Sequence, residues 1–375
     1  MYDYLIVGAG FAGCVIGERL STQLGKRCII VEKRNHIGGN AYDYYDEHGI
    51  LVHKYGPHLF HTNSKKVWDY LSAFTEWIPY QHKVLAVVDG IKVPLPFNLN
   101  SIDLLFKERQ ARRLEGLLSS KYGYDSKVPI LKLRETSDGE LKALADFVYE
   151  KIFYGYNLKQ WGKKPEDLDP SVSGRVPVMV GRDDRYFQDR YQAMPKAGYT
   201  EMFKKIIEMA NLEVVLNTDY RDVMVNGVKF DRLIYTGPID EYFDYLHGEL
   251  PYRSLRFEFA CHQLEYFQEA GQINYPNDHQ YTRITEFKRL TNQLSRNTTI
   301  AYEYAVKHMM GITEPYYPVP SLHSGDLYQK YVRELNKYRR TVITLGRLAD
   351  YKYYNMDQVV ARALAVFENE ICRKS

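Results

Sequence analysis

An α/β fold is what this sequence predicts, and three observations carry the prediction. The first residues, MYDYLIVGAGFAGCVIGERL, run from a short apolar stretch at 4–7 through glycines at 8, 10 and 13 into an apolar helical pattern. Residues 101–158 are rich in Leu, Lys, Glu and Arg at helical spacing, with few breakers. Residues 252–305 alternate as antiparallel strands do, for example at Phe257 and Phe259 and from Ile284 to Glu286. The expectation is a Rossmann-like nucleotide-binding domain with an inserted helical domain and an antiparallel β-sheet domain.

Taken in order, residues 2–7 read as a buried parallel strand, 11–24 as a helix and 28–31 as a second strand ending at Glu32, which together make a βαβ unit. VLAVV, Asp89-Gly90 and IKVPLP read as a hairpin, because Asp-Gly permits the positive φ of a tight turn. Several packed helices are expected over 101–158. The Arg- and Asp-rich stretch 161–193 is long for a structureless connection, so it is functional or partly strand. Residues 199–210 read as a helix, and LEVVL and RLIYTG as strands returning to the first sheet. Residues 341–345 read as a last strand, and a closing helix begins near Met356. The predicted division is a discontinuous nucleotide-binding domain (1–78, 198–240 and 338–375), a helical domain with a mobile lid (99–170) and a sheet domain (79–98, 171–197 and 241–337).

Composition narrows the function classes. A net charge of +3 on 375 residues gives no reason to expect a nucleic-acid partner. No apolar run is long enough to span a membrane. Asp3 stands where a signal peptide would be basic, and the apolar run leads straight into the glycine turn, so no leader is expected. The four cysteines form no CxxC pair or zinc-ligand cluster; reduced thiols in the cytoplasm are the simplest account. Tyrosine is in surplus, 34 against 16 Phe and 3 Trp. Flat rings that carry a hydroxyl suit a pocket for sugars, phosphates and bases.

Gly8-Ala9-Gly10-Phe11-Ala12-Gly13 fits GxGxxG. In that pattern the first glycine makes the turn, the second lets backbone approach a pyrophosphate, and the third lets helix pack on strand. The helix N-terminus adds unpaired N–H groups and a positive dipole end. Glu32, at the end of the next strand, can accept both hydroxyls of an adenosine ribose. The stretch EKRNHIGGN then brings a second glycine pair, Gly38-Gly39, which suits the long track of a flavin dinucleotide, as in flavin amine oxidases. Lys33 and Arg34 would instead suit the 2′-phosphate of NADP.

More distant stretches name a family. They are KYGPHLFHTN (54–63), YNLKQWG (156–162), GRVPV (174–178), RYFQDRYQAMPKAGYT (185–200), IYTGPIDEYFDY (234–245), YTRITEFK (281–288), EPYYPVP (314–320) and GRLADYKYYNMDQ (346–358). With EKRNHIGGNAY, this set resembles the bacterial UDP-galactopyranose mutases over nearly the whole chain. The resemblance implies FAD, active when reduced, and a redox-neutral interconversion of UDP-galactopyranose and UDP-galactofuranose. It implies that flavin N5 takes the sugar C1 as a covalent adduct while UDP departs, the ring opens, and the 4-hydroxyl closes it. It also implies a homodimer and a role in supplying cell-surface polysaccharide.

The resemblance carries over onto particular residues. Arg175 and Arg283 match the arginines that hold the substrate diphosphate. Tyr156 matches the residue stacked on uracil. Tyr186, Tyr317 and Tyr353 (a better match than Tyr351) fall where hydroxyls reach the phosphates, and Phe153 and Asn274 complete the uridine pocket. Trp161 belongs to the segment that covers substrate; its alternative is a helix-end tryptophan over the core. His58 and His61 form HxxH, but no further ligands accompany them, so no metal is expected; both belong beside flavin and sugar, and His82 faces the sugar. Lys33, Gly39, Asn40, Arg347 and Met356 join Gly8, Gly10, Gly13 and Glu32 on the cofactor side. Asn355 stands where many members have Asp. The sequence leaves open a mutase acting also on the 2-acetamido sugar, an FAD-dependent oxidase and a nucleotide-sugar binder without catalysis.

Overall fold

The computed structural model describes residues 1–170 and 174–372. Residues 171–173 and 373–375, which fall in the predicted sheet and nucleotide-binding segments, lie outside the described residues. Two compact units form: Met1–Pro79 with Asp189–Ser254 and His308–Ser375, and Tyr80–Gln188 with Leu255–Lys307.

The first unit is built on a five-stranded sheet in the order Glu213–Val215, Cys28–Val31, Tyr2–Val7, Phe230–Tyr235, Val342–Thr344. Every pair is parallel. Parallel strands are covered on both faces, which explains why YDYLIV and CIIV read as apolar runs rather than alternations. On one face Leu5, Ile29, Leu233 and Val342 pack with Tyr220 and Tyr235. On the other, the helix Phe11–Leu24 lies over Ile6 and Ile30 at its Gly17. That helix ends at Gly25 in the left-handed region, whose N–H bonds back to Leu20 and Ser21. The helices Tyr199–Met209 and Met356–Val366 also form where the pattern placed them. A smaller antiparallel sheet joins Phe60–Thr62, Tyr191–Pro195 and Trp77–Pro79. Phe60, Trp68, Trp77 and Tyr191 stack beside it.

The strand Tyr252–His262 passes through the boundary at Ser254. In the first unit its Tyr252 and Arg253 pair with Pro318 and Tyr317. In the second it begins a sheet that continues through Thr298–Lys307, Arg283–Glu286, Gln272–Asn274, Val84–Val88 and Ile91–Leu95. The predicted hairpin is present, with Asp89 at φ 49° and Gly90 at φ 82°. Gln272–Asn274 runs parallel to Val84–Val88, so the sheet is mixed at that pair. Alternation reports which face of a strand is buried, not its direction.

Helices Leu99–Leu105, Glu108–Tyr122, Ile130–Arg134, Gly139–Val148 and Gly155–Trp161 occupy the region expected to be helical. Their Leu114, Leu118, Leu144 and Val148 pack in one core with Val84, Ala86 and Val93 of the hairpin. One short strand, Ser126–Val128, interrupts them and pairs with Val178–Val180. The long stretch after Trp161 is thus partly strand. Among the described residues, no helix is long and apolar enough to cross a membrane, and the four cysteines are unpaired.

Candidate active site

In the first unit, the turn after Tyr2–Val7 brings backbone to the carboxyl end of the parallel sheet. Gly8 has φ +102°. A Cβ on Gly13 would sit 1.9 Å from the Gly8 carbonyl oxygen, so the helix can begin this close to the turn only on glycine. Gly13 therefore shapes the site from behind. Gly8, Gly10, Glu32, Lys33, Gly39, Asn40, His58, Arg347 and Met356 line a single cleft of about 1220 Å³, its open mouth included.

The buried Glu32 carboxylate accepts N–H groups from Ala9 and Arg34, each at 3.0 Å. Each oxygen keeps a further lone pair for a ribose hydroxyl. Arg34 donates to Glu314 at 2.8 Å and to Asn40 at 3.0 Å, with its guanidinium over the Tyr55 ring; Lys33 lies 3.8 Å from the same Glu314. The two cations that would suit a 2′-phosphate thus share a carboxylate. His58 is held by its own loop. Its Nδ1 lies 2.8 Å from the Gly56 carbonyl, and its backbone N–H donates to Nδ1 of His53 at 2.9 Å. Burial pushes both imidazoles down to about 3, so both are neutral at physiological pH.

The closing helix points its N-terminus at this cleft through Met356 and Val359. Asn355 is its N-cap, in a capping box with Gln358, whose Oε1 accepts the Asn355 N–H at 2.9 Å. Arg347 donates twice to the Tyr354 carbonyl, at 3.1 and 2.6 Å, and sits over the rings of Tyr317 and Tyr353. Those two rings meet edge to face at 5.0 Å, so Arg347, Tyr317 and Tyr353 form one group. His61 lies on Phe60–Thr62 opposite Gln192, its Nδ1 2.9 Å from Asp189. Among the described residues no group of His, Cys, Asp and Glu could hold a metal ion.

The second unit gathers another set. Arg283 pairs in register with Asn274 on one side and with Glu303 on the other, which puts the three side chains on one face of the sheet. The Arg283 guanidinium lies 3.1 Å from the buried Glu303 and donates to the Tyr156 hydroxyl. Burial pushes the Glu303 carboxyl up, and the Arg283 charge opposes that shift. Tyr156 stands on the short helix Gly155–Trp161, next to Phe153, whose carbonyl accepts from Asn157 at 2.8 Å. Gln272 donates to Asn274 at 2.9 Å and fixes that amide. His82 is buried, 3.1 Å from the Tyr80 hydroxyl and flanked by the rings of Tyr186 and Phe187. Trp161 is buried at its helix end, before the left-handed Gly162. Arg175 is exposed on the turn that leads into Val178–Val180.

Residues 151–353, more than half of the chain, match the family model described as UDP-galactopyranose mutase. The chain belongs to the UDP-galactopyranose mutase family. Residues 6–74 match an NAD(P)-binding Rossmann-like domain. The chain is 35% identical to a probable UDP-galactopyranose mutase of Klebsiella pneumoniae, over 96% of this chain and 93% of that one. It is 32% identical to a dTDP-fucopyranose mutase of Escherichia coli, over 97% of both. A crystal structure of reduced UDP-galactopyranose mutase shares the fold, with a TM-score of 0.75 at 17% identity, covering 99% of this chain and 94% of that one.

Three carboxylates that hold assigned side chains of this mutase-family chain within their own units received no role from its sequence: Glu314, Asp189 and Glu303. The first two lie inside quoted stretches, EPYYPVP and RYFQDRYQAMPKAGYT. The third carried no such signal, because residues 298–301 just before it are buried on both faces of the strand and alternation there does not tell which way Glu303 points.

Proposed function

We propose that this protein interconverts UDP-galactopyranose and UDP-galactofuranose with FAD as its cofactor. The observation that carries the reading is where the family match lies: residues 151–353 contain Tyr156, Arg175, Arg283, Tyr317 and Tyr353, the residues assigned to the nucleotide sugar. The cleft fits the cofactor, with a glycine turn for pyrophosphate, Glu32 for ribose, Gly39 and Asn40 along the track and a helix N-terminus at Met356. Reduced FAD, when bound, supplies the nucleophile for the anomeric carbon.

The chain's own residues do the rest. Arg175 and Arg283 grip the diphosphate, where negative charge grows as the C1–O bond breaks. Tyr156 stacks on uracil, and because its hydroxyl accepts from Arg283, one hydrogen bond aligns the base contact with the phosphate contact. Tyr186, Tyr317 and Tyr353 give hydroxyls to the phosphates, with Asn355 at the adjoining helix start. Phe153 and Asn274 complete the uridine pocket. His58, His61 and His82 face flavin and sugar, and Trp161 excludes water from the reacting carbon. The three-module division, a cytoplasmic location, a homodimer and the supply of galactofuranose to cell-surface polysaccharide belong to the same reading.

Chromatography of UDP-galactofuranose incubated with the purified flavoprotein, with and without dithionite, tests it. Conversion to UDP-galactopyranose only under reduction is expected; no conversion under either condition refutes the galactose assignment. The relative named for dTDP-fucopyranose favours a second reading, the same ring interchange on that deoxysugar nucleotide. The same assay run on dTDP-fucopyranose, and on the 2-acetamido sugar, separates these.

A further inference from the structure

Asp189 and His61 come from segments far apart in sequence, brought together by the pairing of Phe60–Thr62 with Tyr191–Pro195. His61 Nδ1 lies 2.9 Å from Asp189 Oδ2, and the other carboxylate oxygen accepts the Asn63 amide at 2.7 Å. Asn63 is held in turn, since its Oδ1 accepts the Arg190 backbone N–H at 2.9 Å. Both side chains of the pair are largely buried, with 12% and 23% exposed. A carboxylate only accepts hydrogen bonds, so the proton of the neutral imidazole sits on Nδ1 and the lone pair on Nε2.

We propose that Asp189 is a positioning residue that locks His61 as the Nδ1–H tautomer, so that Nε2 meets the bound ligand as a hydrogen-bond acceptor. The ligand group it receives is a donor, a sugar hydroxyl or a flavin N–H. Neutral histidine in solution prefers the opposite tautomer, so the preference here is imposed by Asp189 and secured by Asn63. An aspartate that fixes an imidazole through Nδ1 acts in this way in the serine-protease triad. That His61 faces ligand rests on the mutase reading; its tautomer does not.

The test uses FAD-loaded protein with ¹⁵N-labelled histidine, with His61 assigned by loss of its signals in His61→Gln. Nδ1 protonated and Nε2 unprotonated at pH 8 is the expected result, and an Nε2–H tautomer in the unmutated protein overturns the proposal without any variant. Asp189→Ala should shift His61 toward Nε2–H and lower kcat by roughly 10–100-fold, the scale known for removal of the orienting partner of a metal-bound histidine. Asp189→Asn keeps the shape, but the Asn63 amide claims its one oxygen and leaves its NH2 facing Nδ1, so it too should turn His61 to the Nε2–H tautomer. An unchanged tautomer in a folded, flavin-loaded Asp189→Ala protein overturns the proposal. Failure of the mutase reading would appear separately, as absence of turnover in a protein whose His61 still shows Nδ1–H.

Discussion

The two units hold their functional side chains in different ways. In the first, the cleft is shaped by backbone: the turn at Gly8, the close packing at Gly13, two N–H groups on Glu32 and a capped helix start at Met356. In the second, side chains hold side chains. Arg283 is set by Glu303 and Tyr156, which arrive from a neighbouring strand and from a helix more than a hundred residues away in sequence. A site made of backbone tolerates change at most side chains and fails at a few glycines. A site made of paired side chains fails in proportion to the charge removed.

The largest effect is expected where backbone decides. Gly13→Ala places a methyl group 1.9 Å from a carbonyl oxygen, and no side chain can move to relieve it. A loss of about 3 kcal/mol or more of stability, with little flavin retained, is expected. Thermal melting and the visible spectrum of the purified protein check this; a stable yellow variant would break the comparison on its first side.

Next come the arginines, which sharpen the other side. Arg175→Ala and Arg283→Ala should each lower kcat/KM by on the order of 10²-fold or more, several kcal/mol of transition-state stabilisation, with flavin still bound. They should differ in stability. Arg283→Ala leaves the buried Glu303 without its cation and should melt lower than Arg175→Ala, since Arg175 is itself exposed. Equal melting temperatures would show that Glu303 is not organised by Arg283.

The same contrast explains what was legible in the sequence. GAGFAG, the two apolar strands beside it and Glu32 form a local pattern whose physics reads directly, and the structure places these elements as expected. The hairpin at Asp89-Gly90 was legible for the same reason. Arg283 and Tyr156 could be assigned only through a family pattern, since nothing within a few residues of either announces the other. Ser126–Val128 escaped because a three-residue strand inside a helical composition has no periodicity to show. Glu314, Asp189 and Glu303 act through partners that only the fold brings near.

A smaller effect is expected at Glu32. Glu32→Gln keeps the shape but turns an NH2 toward one of the two backbone N–H groups and removes the charge that strengthens ribose contacts. FAD affinity should fall about tenfold, on the order of one charge-assisted hydrogen bond, as read by flavin release in equilibrium dialysis. An unchanged affinity would mean that Glu32 serves only the Ala9 and Arg34 backbone groups.

The smallest effect separates the units by sign. In the first, burial holds His53 near 3, against an ordinary value near 6.5. Below pH 6.5 the unfolded chain binds a proton there that the folded chain refuses, so stability should fall as pH falls. For His53 alone the loss between pH 7.5 and 5.5 is about 1.4 kcal/mol. In the second unit, burial raises the Glu303 carboxyl above its ordinary value near 4.5. The folded chain there keeps a proton that the unfolded chain releases, so Glu303 takes stability away as pH rises from about 4.5 through its raised value. Urea unfolding at pH 4.5, 5.5 and 7.5 reads both. His53→Gln should flatten the loss toward acid, and Glu303→Gln should remove the opposing trend, making the acid loss steeper. If both variants change the slope in the same direction, the two buried groups are not held as described.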